Sequence, residues 1–182
     1  MQNKQRGSNY QALVIKSKKM GESDLLVTLL CQELGKITVL AKGARKLNSS
    51  KKAYLEGGNL VTVFLIQTKS MPILTQAKLL ADIGEIRFNF NRLRRLWEFL
   101  EMVDQIMIEE ELEMNIFRQI LLTRELIVGG HNNGLIKQNL TDFLYKMGII
   151  DENENVNQSL SSQVANFTGK KMLTFEYLTL ER

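Results

Sequence analysis

The stretch GKITVLAKGARKLNSSKK, residues 35–52, begins like a buried strand and ends as a run of positive charge. In its first part, Ile37, Val39 and Ala41 recur at every second position, so they fall on one face of a strand whose other face meets solvent. The second part contains no acidic residue, and its basic residues are Lys42, Arg45, Lys46, Lys51 and Lys52. The stretch therefore predicts a strand that delivers basic side chains into one loop.

The segments around this stretch have the pattern of four further short strands. YQALVIKSK (10–18) alternates apolar and polar residues, and LLVTLLCQ (25–32) is a denser apolar run. NLVTVFLIQ (59–67) and ILTQAKLLA (73–81) complete the set. Pro72 stands at the entrance of the last strand, where a missing N–H costs little.

Five short strands within about 75 residues predict a small closed barrel, because closure removes exposed strand edges. The leading interpretation is a five-stranded barrel of the oligonucleotide-binding (OB) type, and an SH3-like barrel fits the same pattern. Residues 1–81 carry 13 basic and 4 acidic residues, whereas residues 82–182 carry 11 and 16. This asymmetry predicts an OB-type domain over residues 1–81 that binds a polyanion, and a second domain over residues 82–182 with another role.

In the second half, apolar residues recur every three or four positions, which is typical of helices with one buried face. Three helices are predicted, within residues 93–107, 116–128 and 135–147, and glycines follow the last two. Trp97 falls among the apolar residues of the first helix and is interpreted as a core residue. The acidic residues 109–113 predict a connection between helices or the start of one.

The end of the chain is divided by the polar stretch DENENVNQSLSS, residues 151–162, which predicts a flexible surface connection. Beyond it, apolar residues between Leu160 and Phe167 predict a short helix, and a last apolar element is predicted from residues 173–180. The predicted fold class is therefore α+β, with a five-stranded OB-type barrel followed by an α-helical domain.

Composition argues against several classes of protein. Cys31 is the only cysteine and His131 the only histidine, so an intrachain disulfide and a four-cysteine zinc site are excluded, and a histidine-centred catalytic triad has few parts to use. Gly35-Lys36 resembles the end of a nucleotide-binding P-loop, but Leu30 occupies the position of the required glycine. We therefore expect no enzyme, no catalytic residues, no cofactor and no metal, with Cys31 as a small core residue.

Apolar runs in the sequence are far shorter than the ~18 residues that a membrane span needs, and no signal-peptide apolar region follows the polar start. The expected protein is soluble and cytoplasmic, without membrane association.

The basic residues of the first half are concentrated along neighbouring elements. A charge run is often just a solvated loop, and the pattern alone leaves that interpretation open beside a DNA-binding loop. The surroundings favour DNA, because only Glu22, Asp24 and Glu33 interrupt the basic residues between positions 16 and 52. Few aromatic residues precede position 88, so phosphate contact with little sequence preference is expected to outweigh base stacking. The candidate DNA-binding residues are Lys16, Lys18, Lys19, Lys36, Lys42, Arg45, Lys46, Lys51 and Lys52.

Residues 12–52, ALVIKSKKMGESDLLVTLLCQELGKITVLAKGARKLNSSKK, resemble the amino-terminal segment of the bacterial DNA repair and recombination mediator family RecO. In that family a strand of A-x-V-L type, G-E-x-D, a leucine-rich strand, a G-K turn and A-K-G-A-R-K follow in this order. The resemblance continues through residues 59–67 and 73–80, and returns in FLYKMGI (143–149) and in VANFTGKKMLTFEYLTL (164–180).

The resemblance implies an OB-type barrel followed by a helical domain. It also implies binding of single- and double-stranded DNA, annealing of complementary strands, contact with RecR and with the acidic C-terminal tail of the single-stranded DNA-binding protein, and indirect help in loading RecA. None of these activities is catalysis, and the implied location is the bacterial cytoplasm at the nucleoid. By position, the implied DNA contacts are Lys42, Arg45 and Lys46, with Lys16 and Lys36 in neighbouring strands, whereas the remaining candidates rest on charge alone.

Many RecO proteins carry a four-cysteine zinc module before the terminal helix, where this sequence has only the cysteine-free residues 151–162. The partner contacts of that module are therefore in doubt here. An alternative function is a protein–protein interaction module, in which the acidic helical half recruits partners and DNA binding is minor.

Overall fold

A closed barrel occupies the first part of the computed structural model, which describes residues 7–151 and 159–173. Its strands run in the order β1-β2-β3-β5-β4 around the barrel. β3 pairs with β5 in parallel, and the other neighbouring strands are antiparallel. This Greek-key order confirms the predicted OB-type barrel. The strands are β1 (Gly7–Met20), β2 (Asp24–Cys31), β3 (Gly35–Ala41), β4 (Leu60–Ile66) and β5 (Ile73–Ala81).

Alternate residues of the strands fill the barrel. Ile37, Val39 and Ala41 of β3 are buried in its core, as the sequence pattern predicts, whereas Thr38 and Lys42 are exposed. The parallel edge of β3 is closed by a hydrogen bond of 2.9 Å from the Leu40 N–H to the Pro72 carbonyl. The proline at the entrance of β5 therefore contributes an acceptor to the closure of the barrel without needing a donor of its own.

A short helix that the sequence did not indicate, α1 (Lys51–Tyr54), lies between β3 and β4 and packs against β5. The buried Asn59 side chain fixes it, since its amide donates to the carbonyls of Ala53 and Tyr54 at 3.0 and 3.2 Å. The Oδ1 atom of the same side chain accepts the Ile83 N–H at 3.1 Å. One buried amide thus holds α1 and the exit of β5 together, and its own polar atoms are all hydrogen-bonded.

Helices make up the rest of the described chain. A 3₁₀ turn (Gly84–Phe88) precedes α2 (Phe90–Ile106), and the Asn89 side chain caps α2 by accepting the Arg92 N–H. The remaining helices are α3 (Met114–Gly129), α4 (Asn133–Lys146) and α5 (Leu160–Thr168). α3 ends as predicted, with Gly130 in the left-handed conformation at φ 73°. Residues 152–158 of the predicted connection and most of the predicted last apolar element lie outside the described residues.

The interpretation of Trp97 as a core residue is wrong. Leu96, Leu100 and Val103 of α2 are buried, but the Trp97 side chain is 47% exposed. The reason is helical geometry: Trp97 lies seven residues after Phe90 and so shares the outer face with it rather than the face of Leu96.

The chain divides into two compact units, and each unit is made of two separate segments of the sequence. One unit extends to Ile83 and also includes Ile108–Leu112, and the other contains Gly84–Met107 and the chain from Glu113 onwards. Residues 108–112 connect α2 to α3, as the acidic sequence there predicted. They hydrogen-bond to the β2–β3 turn: the Lys36 N–H donates to the Ile108 carbonyl and the Leu112 N–H donates to the Gln32 carbonyl, each at 2.7 Å. A five-residue connection is therefore part of the barrel unit.

Candidate nucleic-acid interface

The turn between β1 and β2 and the loop after β3 are joined by hydrogen bonds into one structure. The Arg45 N–H donates to the Ser23 carbonyl at 2.9 Å, and its guanidinium Nη1 donates to the Gly21 carbonyl at 3.1 Å. The Gly43 N–H donates to the Asp24 carboxylate at 2.8 Å. We call this structure, residues 18–24 with residues 42–47, the basic rim.

The loop of the basic rim has a defined path. Gly43 has φ +62°, a conformation that L-residues rarely adopt, and its carbonyl accepts the Lys46 N–H at 3.2 Å. Ala44 is fully buried in the barrel core and anchors the loop from below. Leu47, in contrast, is fully exposed. Hydrogen bonds and burial therefore hold residues 43–45 in place, while the side chains of the neighbouring residues 42, 46 and 47 are exposed.

Asp24 is the acidic residue of the basic rim whose carboxylate binds the loop after β3. Its pKa is lowered below the ordinary value of 3.8, chiefly by the hydrogen bond from the Gly43 N–H. Burial raises the pKa, by less than this hydrogen bond lowers it, and the Ser23 hydroxyl, at 3.1 Å, and the positive charges of Lys42 and Lys46 each lower the pKa by a smaller amount. The carboxylate is therefore ionised at neutral pH, where it accepts the hydrogen bond that holds the loop.

Strand register brings the lysines of β1 to the same end of the barrel. Lys19 pairs with Leu25, which pairs in turn with Ala41, the last residue before Lys42. Lys18 occupies the neighbouring row and is exposed. Five of the candidate residues are thus gathered at the basic rim: Lys18, Lys19, Lys42, Arg45 and Lys46.

The other four candidates lie elsewhere on the barrel. Lys16 is exposed two residues before Lys18 on β1, in the row of Thr28. Lys36 is at the opposite end of β3 from Lys42, about 20 Å away at the rise of a strand. Lys51 and Lys52 belong to α1. The contact of these four residues with DNA stays a prediction.

Sequence reasoning missed Asp24 and Ser23 as parts of the site, because it counted the acid only as an interruption of positive charge. The available signal was the joint presence of G-E-S-D and A-K-G-A-R, two short motifs separated by a hairpin. The register of β2 with β3 now explains why they occur together, since it places residue 24 next to the end of β3.

Groups that could support other chemistry are few in the described chain. Burial raises the pKa of Cys31 to about 12, with a smaller effect of Glu33, so the thiol stays protonated in the barrel core. Within residues 7–151 and 159–173, no group of three or more His, Cys, Asp or Glu side chains could hold a metal ion. None of the described helices has both the length and the apolar character needed to cross a membrane.

A pair of substitutions at Asp24 separates its hydrogen bond from its charge. We expect Asp24→Asn to keep the acceptor for the Gly43 N–H and, by removing a negative charge, to strengthen binding of a single-stranded oligonucleotide about two- to threefold. Asp24→Ala removes the acceptor and should weaken that binding. Fluorescence anisotropy measures both, and equal effects of the two substitutions would contradict the anchoring role.

The same carboxylate predicts a pH dependence of stability. Because the folded-state pKa of Asp24 lies below 3.8, its contribution is present above that pH and is lost as the pH falls through the folded-state value. The urea midpoint of the Asp24→Asn variant should therefore fall less than that of the unaltered protein between pH 5 and about pH 3.

Comparison with known proteins identifies the barrel. The family model described as recombination protein O N terminal matches residues 6–82. DNA repair protein RecO from Syntrophomonas wolfei is 30% identical over 139 residues, which are 76% of this chain and 56% of the relative. The RecO proteins of Desulforamulus reducens and Shouchella clausii are 28% and 30% identical, each over 69% of this chain and 49% of their own length. The chain thus spans about half the length of the curated relatives it matches, and its residues 6–82 belong to the recombination protein O N-terminal family.

Proposed function

We propose that this chain is a non-enzymatic DNA-binding protein of recombinational DNA repair. It binds single- and double-stranded DNA through phosphate contacts at the basic rim. The observation that carries the proposal is the hydrogen-bonded union of the β1–β2 turn with the β3 loop, which gathers five basic side chains at one end of an OB-type barrel. Loops at the end of OB barrels are a common place for oligonucleotides to bind.

The chemistry of the basic rim suits phosphates better than bases. Lysine ammonium groups are point charges without directional preference, and a loop fixed by backbone hydrogen bonds presents them without further ordering. The aromatic residues of the barrel are few, and Tyr10 and Tyr54 pack partly against its core. Binding at this rim is therefore expected to be insensitive to sequence and strongly dependent on salt.

The finer parts of the proposal follow from the family. We include annealing of complementary strands, and assembly with RecR and with the acidic tail of the single-stranded DNA-binding protein, which together promote loading of RecA. A protein that neutralises phosphates on two strands lowers their mutual repulsion, and this is the physical basis for annealing. The proposed location is the bacterial cytoplasm, at the nucleoid.

A salt titration tests the DNA-binding proposal. Fluorescence anisotropy with a labelled 20-residue single strand should show a loss of affinity of roughly a hundredfold between ~50 and ~200 mM salt, if about five phosphates are contacted. Binding that does not depend on salt, or no binding at all, would sink the proposal. Binding of RecR or of the acidic tail peptide without any DNA affinity would instead support a protein–protein interaction module.

A further inference from the structure

Three aromatic side chains are exposed at the start of the helical unit. Phe88 is 87% exposed, Phe90 56% and Trp97 47%. Phe90 and Trp97 lie seven residues apart on one face of α2, a rise of about 10 Å, and Phe88 precedes the helix cap by one residue. We call these three residues the aromatic stripe. It concentrates aromatic surface in ten residues of a chain that is 7% aromatic in total.

Helix capping does not explain the exposed Phe88 ring. An apolar residue directly before an N-cap usually packs against the fourth residue of the helix, which here is Leu93. Phe88 stands in that position, but its exposure shows that the ring makes no such packing contact. A large apolar side chain held in water costs solvation free energy, so its presence next to a well-formed cap suggests a ligand.

Arginines predominate among the charged residues along the aromatic stripe. Residues 84–97 contain four arginines and one acidic residue, Glu85, and the first turn of α2 has no acidic side chain. Cations near a helix N-terminus are unfavourable, because that end already carries partial positive charge. Arg92 is placed over Gly130 at the end of α3, where its charge is favourable. Arg94 lies beyond the first turn of α2, between Phe90 and Trp97 at helical spacing, with Glu98 four residues after it.

Exposed aromatic rings and a neighbouring arginine suit the same kind of ligand. An anionic backbone would complement the charge of Arg94, and flat, unpaired bases would cover the exposed rings. Bases in a duplex are stacked on one another and cannot reach such rings, whereas those of a single strand can.

We propose that the aromatic stripe binds the bases of single-stranded nucleic acid, with Phe88, Phe90 and Trp97 as stacking residues and Arg94 beside the backbone. The inference deepens the proposed function and rests on it, because the basic rim supplies phosphate contacts without base contacts. The stripe then gives this chain its preference for unpaired over paired strands.

Trp97 is the only tryptophan of the chain and reports directly on the proposed contact. Titration of the full chain with a single DNA strand of 20 thymidine nucleotides (the thymidine strand) should quench the Trp97 fluorescence, because the bases stack on the ring. An abasic strand of the same length keeps the phosphates and lacks the bases, so it should bind the basic rim, as measured by anisotropy, without quenching.

Substitutions then separate the stripe from the rim. Each of Phe88→Ala and Phe90→Ala should weaken binding of the thymidine strand about fivefold or more, and should leave binding of a duplex of equal length within about twofold. Tyr145→Ala is the matched control, because Tyr145 is an exposed aromatic residue of the same unit on α4. It should change neither affinity. Circular dichroism checks that the variants stay folded.

The possible outcomes distinguish this inference from the proposed function. DNA binding seen by anisotropy, with unchanged Trp97 emission at saturation and no effect of the phenylalanine substitutions, would overturn the inference and leave the basic rim intact. Absence of all DNA binding would overturn both. Equal quenching by the thymidine strand and by an acidic peptide would assign the stripe to a protein segment and would also overturn the inference.

Discussion

Replacing Lys42, Arg45 and Lys46 by alanine together is expected to weaken binding of a single-stranded oligonucleotide by about a hundredfold at ~0.1 M salt. The physical reason is counterion release: each lost phosphate contact on a single strand lowers the slope of log K against log salt by about 0.7, and three contacts lower it by about 2. The slope itself is the more specific measurement. Affinities at several salt concentrations, for two unrelated sequences, should change alike.

Two further variants make this result interpretable. Arg45 also donates to the Gly21 carbonyl, so its removal loosens the turn as well as removing charge. The double variant of Lys42 and Lys46 keeps that bond and should still lose about twentyfold in affinity at ~0.1 M salt. The matched control removes three exposed basic side chains of the helical unit, namely Arg118, Lys137 and Lys170. An equal loss in this control would mean that net charge, rather than the basic rim, governs binding.

The second large effect is expected at Gly35, where Gly35→Ala should lower the free energy of unfolding by about 3 kcal/mol or more. Gly35 has φ +64°, and a Cβ there would lie 2.1 Å from the Glu110 carbonyl oxygen and 2.5 Å from that of Ile108. Both are backbone atoms, and the Ile108 carbonyl is held by the Lys36 N–H. Relief of the overlap would therefore break the attachment of residues 108–112 to the barrel.

Gly21→Ala is the control for this substitution. Gly21 also has a positive φ, +57°, in the preceding hairpin turn, but no atom lies within 4 Å of the position of a Cβ. Its replacement should cost only the backbone strain, roughly 1–2 kcal/mol. Urea unfolding followed by circular dichroism measures both variants. If the two alanines cost the same, the close approach of residues 108–110 does not contribute to stability.

The sequence predicted the elements of the fold because their causes are local. The alternation at Ile37, Val39 and Ala41 follows directly from a strand with one buried face. The glycine after α3 indicates a helix end, because that position has a left-handed backbone conformation. The sequence pattern fits both an OB-type and an SH3-like barrel. The pairing of β3 with β5 distinguishes the two barrel types, and that pairing depends on residues more than thirty positions apart.

Other features were beyond reach because they depend on distant contacts. Nothing in the residues near Asn59 indicates that its amide holds α1 and Ile83, and an isolated four-residue helix such as α1 has almost no propensity of its own. The prediction that Trp97 is a core residue was wrong for a different reason. Its neighbours in sequence are apolar, but a helix turns about 100° per residue, so one step moves a side chain from the buried to the exposed face.

For the candidate site, composition identified the basic residues but not which of them act together. Lys36 is near the start of β3 and Lys42 directly follows its last residue, so alternation alone treats the two lysines as equivalent although they lie at opposite ends of the strand. Asp24 shows the converse. Its negative charge argues against a DNA site in the sequence, but in the structure its carboxylate accepts a hydrogen bond from the Gly43 N–H and so holds the loop of that site. Counting charged residues gives their number, whereas the site depends on the backbone hydrogen bonds that hold the loop in place.

The attachment of residues 108–112 to the β2–β3 turn sets an order of events during synthesis. The family match ends at residue 82, but the Lys36 N–H and the Gln32 carbonyl find their partners only in residues that follow α2. A ribosome must therefore produce about 30 further residues, and they must leave the exit tunnel, before the barrel unit has all of its backbone hydrogen bonds. The first domain of this chain to begin folding is thus not free to finish folding by itself.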